Sequence, residues 1–323
     1  MDTQDPPDLE RPKTAHSSRG TLLSHRTEQV ISRPFVGRLG GNQAFTLDVA
    51  DPNYDEKLRS TPDAGASFTW KESFDLRGFV DAELWKQAIL EGWATSLIVW
   101  ITGLAAYSLA PTSRDFATGA LFPTLLGALV NTISLSLFIF SSGPVSGGHL
   151  NPLITIGTFF GQLATFPRTV LYVLCQTTGA TVAGFLIRAA LGRPGGPDGV
   201  IPGCWIDPSA VTAGEAFVLE TMTCLALIFL AYGIGLDPRQ KAIFGPALGP
   251  LLIGLALGLC NFATGTVKPG YTGASLNPAR CFGLMAAEGR WTLHWVHWVG
   301  PIVAGALNGV LYWAIPPSKP RKM

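Results

Sequence analysis

One phrase in this chain occurs twice. SGGHLNPLITIG runs from Ser146 to Gly157, and TGASLNPARCFG runs from Thr272 to Gly283. The Gly, Leu, Asn, Pro and closing Gly fall at the same places in both copies, so the chain carries an internal repeat. In each copy Asn stands where a helix N-cap would be, Pro follows at the first helical position, and an apolar run continues. Each copy therefore predicts a short helix with its N-terminus fixed at Asn151 or Asn277.

Composition says what medium these helices sit in. The 323 residues are 47 % hydrophobic and only 14 % charged, against about 25 % charged in a soluble domain. A membrane protein is the class this implies. The net charge of +1 gives no argument for nucleic acid or an acidic substrate. The opening residues MDTQDPPDLERPKTAHSSRG hold no apolar stretch of the signal-peptide kind, so the first spanning helix is expected to direct insertion. The five cysteines, Cys175, Cys204, Cys224, Cys260 and Cys281, include no CxxC pair. Neither a metal centre nor a disulfide framework is expected, and no cofactor.

Along the chain, residues 1–83 are polar and mixed in charge and predict a largely disordered cytoplasmic tail. Within it, the stretch from Trp70 to Trp85 reads either as an interfacial amphipathic segment or as a collar on the membrane domain. An all-α membrane domain is expected over 84–316, and a short tail over 317–323. Stretches near the ~20 apolar residues needed to cross a bilayer fall at about 88–110, 121–140, 168–191, 212–236, 243–262 and 294–315. The repeated phrases lie between the second and third and between the fifth and sixth of these. Each is followed by too few helical residues to cross, which predicts six transmembrane helices plus two half-spanning re-entrant helices. Short, Gly/Pro-interrupted apolar segments at matching places in two halves mark an inverted repeat with its site near the midplane. With three spans per half, the second half is inverted, and Asn151 and Asn277 meet in mid-membrane. Lys71, Arg77, Lys86, Lys319, Arg321 and Lys322 flank the outermost spans and predict cytoplasmic termini.

Irregular backbone at membrane depth is tolerated only where protein buries it or where it lines a water-filled cavity. The approaches through Gly147-Gly148 and Gly273-Ala274 leave carbonyls free to line a narrow aqueous path. Two facing helix N-termini place positive dipole ends at its centre and oppose cations. The Asn amides offer donors to a passing oxygen, and neither Asn titrates. A pore for neutral molecules follows; no nucleophile, metal cluster or phosphate loop suggests an enzyme.

Paired Asn-Pro motifs on half-helices, six spans, a Glu early in spans one and four (Glu91 and Glu220), and Arg280 after the second Asn together resemble the major intrinsic proteins, the aquaporins and aquaglyceroporins. The resemblance covers about 84–316. It implies a central constriction at Asn151, Pro152, Leu153, Asn277, Pro278 and Ala279. The first motif departs from the usual Asn-Pro-Ala by carrying Leu153, and the second continues into Cys281. Asn-Pro-Ala-Arg-Cys is similar to the signature of the X intrinsic protein branch. Arg280 is implied in the outer constriction, where it donates to solute oxygens and repels cations. Asn131, Asn261 and Ala274 complete that filter on the family's spacing, although the loop after Asn261 is longer than the family pattern. The alternative for Asn131 and Asn261 is an interhelical hydrogen bond. A filter of Asn, Asn, Ala and Arg lacks the aromatic and His groups of water-selective members and implies passage of glycerol-sized polyols, urea or hydrogen peroxide, with water possible.

Other residues follow from the same frame. His149 is expected to line the cytoplasmic approach, and Glu91 and Glu220 to accept hydrogen bonds from the loops. Gly147, Gly148 and Gly273 shape those loops. Cys281 reads as a packing residue, and Cys204, in a polar loop, as the more accessible thiol. Ser17, Ser18 and Thr21 near Arg19 are candidate phosphorylation sites. A homotetramer in the plasma membrane is implied by the family alone. The competing readings are a water-selective pore, a secondary transporter, which inverted repeats also build, and a non-conducting scaffold whose tail binds partners.

Overall fold

The structure, a computed structural model, describes residues 34–40, 47, 52–65, 69–109, 119–192, 203–237 and 241–315. All of them belong to one compact unit, Arg33–Met323. Ser17, Ser18, Thr21 and the tail 317–323 lie outside the described residues.

Eight helices build the membrane body: α1 (Ala82–Leu109), α2 (Leu121–Ser146), α3 (Pro152–Phe160), α4 (Phe166–Leu191), α5 (Ala213–Ala231), α6 (Lys241–Thr264), α7 (Pro278–Glu288) and α8 (Val296–Ala314). A π-helical turn, Tyr232–Leu236, continues α5. Among the described residues there is no strand, only an isolated bridge between Ile206 and Tyr271. Five helical stretches, α1, α2, α4, α5 with its π turn, and Ala247–Thr264 of α6, are long and apolar enough to cross a bilayer. Helix α8 has the length, about 28 Å at 1.5 Å per residue, but His297 and Asn308 dilute its hydropathy. Both are buried, because α8 runs between α5 and α3.

The half-helices are short for a local reason. Asn151 caps α3 by accepting from the Leu153 amide at 2.9 Å, and Asn277 caps α7 by accepting from the Arg280 amide at 3.2 Å. Pro152 and Pro278 occupy the first turn, where a missing N–H costs nothing. Helix α3 stops at Gly161 and α7 at the left-handed Gly289. At nine and eleven residues they are about 14 and 17 Å long, roughly half of the ~30 Å hydrocarbon core.

Close backbone approach brings the long helices around them. Gly92 of α1 faces the Cys175 carbonyl of α4, where a Cβ would lie 2.7 Å from that oxygen. Gly309 of α8 likewise lies against α3, with a Cβ position 2.7 Å from the Gly157 carbonyl. Small residues at such crossings let dispersion contacts and backbone polar groups do the holding that the hydrophobic effect cannot do between helices in lipid.

Of the stretch 1–83, expected to be a largely disordered tail, residues 34–40, 47, 52–65 and 69–83 are described and carry ordered structure; the others lie outside the described residues. Helical turns occur at Tyr54–Ser60, Pro62–Ala64, Trp70–Ser73 and Leu76–Val80, and Phe35, Val36, Arg38 and Leu39 are buried. A buried cation on the body explains the order. The Arg168 guanidinium of α4 is fully buried and takes Asp63 as its counter-ion at 2.7 Å. Helix α2 also runs on past the expected end at 140. Its last carbonyls, Gly143 and Pro144, accept from the Arg38 guanidinium at 2.7 and 3.0 Å, and Gly147 closes it in the left-handed region at φ 96°.

Candidate functional site

The two repeated phrases meet and hold each other by a reciprocal pair of hydrogen bonds. Asn151 Nδ2 donates to the Leu276 carbonyl at 2.7 Å, and Asn277 Nδ2 donates to the Leu150 carbonyl at 2.9 Å. Leu150 and Leu276 adopt left-handed backbone, with φ of 53° and 56°. That conformation is unfavourable for Leu, and its recurrence in both halves aims each carbonyl at the opposite Asn. An Asn amide carries two N–H donors, so each keeps one beyond the clasp.

A carboxylate holds each loop from behind. Glu91 of α1 accepts from the His149 amide at 3.1 Å, the Leu150 amide at 2.6 Å, Ser146 Oγ at 2.5 Å and Gln176 Nε2 at 2.9 Å. Glu220 of α5 accepts from the Ser275 amide at 2.8 Å, from Ser275 Oγ, and from the Tyr271 hydroxyl at 3.0 Å. Both carboxylates are fully buried. Each therefore satisfies loop donors that would otherwise be orphaned, at about 1–3 kcal/mol per group.

In front of the clasp lies a narrow cavity of about 40 Å³. Its lining mixes apolar Ile98, Val99, Leu135 and Leu257 with polar Asn131, Asn151, Asn261, Ser275, Asn277 and Arg280. Among the described residues, Asn131 and Asn261 bond their own helices through Nδ2, to the Gly127 carbonyl at 2.9 Å and the Leu257 carbonyl at 3.1 Å. Neither bond is interhelical. Arg280 donates to the Ser275 carbonyl at 3.2 Å and to Cys204 Sγ at 3.3 Å. None of the residues lining this cavity is aromatic or His.

Several expected site residues stand elsewhere. Ala274 is buried, with its amide donating to Thr264 Oγ1 at 3.1 Å, and Ser275 lines the cavity in its place. Pro152, Leu153, Pro278 and Ala279 are buried behind the Asn pair. Leu153 joins the core around Ile154, Leu227 and Ile228, and Ala279 the core around Val99 and Ala183. Of the first-turn residues of the two half-helices, Arg280 reaches the cavity beside the Asn caps, whereas Pro152, Leu153, Pro278 and Ala279 do not line it. Gly147, Gly148 and Gly273 all have positive φ, at 96°, 70° and 88°.

His149 does not face an open approach. Its Nε2 lies 2.6 Å from the Gly37 carbonyl, its Nδ1 lies 3.1 Å from Thr155 Oγ1, and the ring is fully buried. Residues 34–40 cover it: the Leu39 amide bonds the Gly147 carbonyl at 2.8 Å, and the Phe35 ring lies 5.6 Å from the His149 ring and under the Arg168 guanidinium at 3.8 Å. Burial lowers the Arg38 guanidinium to about 10, which leaves it a cation at neutral pH. Sequence reasoning passed over this segment. Its one signal was FVGRLGG, an apolar and Gly-rich island in a polar stretch.

The cysteine expectations also change. Cys204 and Cys281 form a disulfide with Cα atoms 5.2 Å apart. Cys204 is buried, so it is not an accessible thiol, and Cys281 does more than pack. Partners far apart in sequence, with no CxxC spacing, left no local sign of the bond.

An inverted pair of half-helices clasped at their N-termini inside a bundle of long apolar helices defines a membrane channel of the paired-motif type. Comparison with known proteins agrees: residues 79–312 match the Major intrinsic protein family, and the chain belongs to that family. It is 33 % identical to Aquaporin TIP4-1 of Zea mays over 70 % of this chain and 84 % of that protein. It is 34 % identical to a probable aquaporin TIP4-1 of Oryza sativa subsp. japonica over 70 % of this chain and 85 % of that one. Its fold is similar to the aquaglyceroporin from Plasmodium falciparum, with a TM-score of 0.57, 22 % identity, and coverage of 71 % of this chain and 95 % of the other. The protein is thus an integral membrane channel for small solutes, not an enzyme.

Proposed function

We propose that the channel conducts small uncharged polar solutes of the glycerol, urea and hydrogen peroxide class, with water as a secondary permeant. The carrying observation is the cavity wall, which combines Asn131, Asn261 and Arg280 with the clasped Asn151 and Asn277 and has no aromatic or His side chain. Amides present donors and acceptors together, as polyols and urea do. Arg280 supplies a fixed positive charge against cations, and the facing half-helix N-termini add to it. Coupled transport by a secondary transporter would need an ion-coordinating group at the midplane, and two neutral Asn are there instead.

A water-selective pore is the second reading, favoured by the narrowness of the cavity. Its 40 Å³ is only a few times the ~10–15 Å³ one water needs. Stopped-flow light scattering on proteoliposomes separates the two. The polyol reading expects swelling in glycerol well above protein-free vesicles, and glycerol exclusion with fast water flux contradicts it.

In this reading residues 34–40 hold the cytoplasmic mouth shut, through the Gly37 carbonyl on His149 and the Arg38 guanidinium on the end of α2. Cytoplasmic termini, a homotetramer and the plasma membrane complete the proposal. Leu153 and the Asn-Pro-Ala-Arg-Cys phrase support assignment to the X intrinsic protein branch within the family.

A further inference from the structure

Soft donors gather on one flank of α7, beside Arg280, and solute passage uses none of them. Cys204 and Cys281 are joined there, and Met285, one turn along α7, is buried against both. His297 of α8 is fully buried, and among the described residues neither of its ring nitrogens has a hydrogen-bond partner. One of those nitrogens and the two sulfurs all lie within 4.8 Å of one another. Glu220 Oε2 stands 3.5 Å from His297 Nδ1, the place of a carboxylate that orients a ligating imidazole. Met285 Sδ lies 3.1 Å from His294 Nδ1, which fixes the thioether from its other side.

A buried imidazole with no hydrogen bond among the described residues, backed by Glu220 at 3.5 Å and beside two sulfurs, offers a ring nitrogen to a cation. We propose that, when the Cys204–Cys281 disulfide is reduced, Cys204, Cys281 and His297 bind one soft monovalent cation, Cu(I) or Ag(I), with Met285 as an adjoining thioether. Thiolate and thioether donors select such ions over hard ones. The Arg280 guanidinium touches Cys204 Sγ at 3.3 Å, a cation placed to favour the thiolate form of that sulfur.

The chemistry balances in two steps. A dithiol reductant transfers two electrons and two protons to the S–S bond by thiol–disulfide exchange; it leaves as its own cyclic disulfide, and both cysteines become thiols. Ion binding then displaces the two thiol protons to water. In the oxidised form the sulfurs carry no thiolate charge and hold no ion. The site therefore reports redox state, and when filled it ties the segment at Cys204 to the helix that carries Arg280.

The test uses full-length protein in detergent, prepared oxidised or reduced by a dithiol and then desalted without oxygen. Each form is titrated with Cu(I) against a chromophoric Cu(I) chelator. Cys175, Cys224 and Cys260 are free in the structure and contribute equally to both forms, so the difference isolates the site. Reduced protein is expected to withdraw one more equivalent per chain than oxidised protein. Because changing a supporting partner alone costs about 10–100-fold in metal affinity, His297→Gln should weaken the reduced protein's extra equivalent by at least about tenfold. Cys204→Ser should abolish it. Met285→Leu, which conserves volume, should weaken it while leaving thermal unfolding of the oxidised protein unchanged, and so serves as the variant for which misfolding is not at issue. Equal uptake by the two forms, or full uptake by reduced His297→Gln, would overturn the proposal.

Discussion

Individual side chains divide into those that face the path and those that hold the facing ones still. Asn131 is half-buried at the cavity wall and, among the described residues, bonds its own helix, so it can be enlarged without breaking a bond between helices. Asn131→Phe is predicted to lower glycerol flux more than water flux in proteoliposomes; equal losses would mean that the residue does not narrow the path. Glu91 is different in kind. Removing its carboxylate orphans the His149 and Leu150 amides, each at about 1–3 kcal/mol. Glu91→Ala should therefore lower the midpoint of thermal unfolding in detergent by several degrees, at about 2–4 °C per kcal/mol, while Glu91→Gln, which keeps one acceptor oxygen, should lose less. At this scale the sequence was legible where a residue's job is local. An N-cap Asn before Pro announces itself, and so does an ionisable group in an apolar span. Ala274 and Leu153 were misread because the direction of a side chain in a first turn or a loop depends on backbone dihedrals that the letters do not specify.

Among the elements, the half-helices were readable because Asn-Pro at one end and Gly at the other bound them locally. Segment 34–40 was not, because its order depends on partners distant in sequence, several of them more than a hundred residues away. Arg38 reaches the carbonyls of Gly143 and Pro144, and Val36 bonds the Asp63 carbonyl at 2.8 Å. Asp63 in turn neutralises Arg168, which also donates to Gln87 Oε1 at 2.5 Å and to the Tyr172 hydroxyl at 2.7 Å. Breaking one side of a buried ion pair costs about 3–5 kcal/mol. Asp63→Ala is thus predicted to lower thermal stability and to raise hydrogen exchange at residues 34–40; unchanged exchange there would mean that the pair does not hold the segment. Arg38→Ala should do less to stability and more to flux, since it removes the contact with α2 and leaves the Asp63–Arg168 pair intact. A flux no higher than wild type would contradict the role assigned to Arg38.

For the molecule as a whole, the inverted repeat is the organising fact. It pairs Glu91 with Glu220, Leu150 with Leu276 and Asn151 with Asn277, and each member of a pair meets the same need from the opposite half. That symmetry was visible in the repeated phrase, and the six spans followed from hydropathy. The Cys204–Cys281 bond was hidden because it belongs to one half only and joins a loop to a helix across a long stretch of chain. The central claim joins two parts: a polyol-permeable, amide-lined filter, and a mouth covered by the chain's own N-terminal segment. The most direct test is glycerol and water flux in proteoliposomes, comparing the full chain with a form lacking residues 1–40. The account predicts that glycerol flux rises severalfold on truncation and that water flux rises with it. Glycerol flux no higher than in empty vesicles, in a truncated protein that still conducts water, would contradict it.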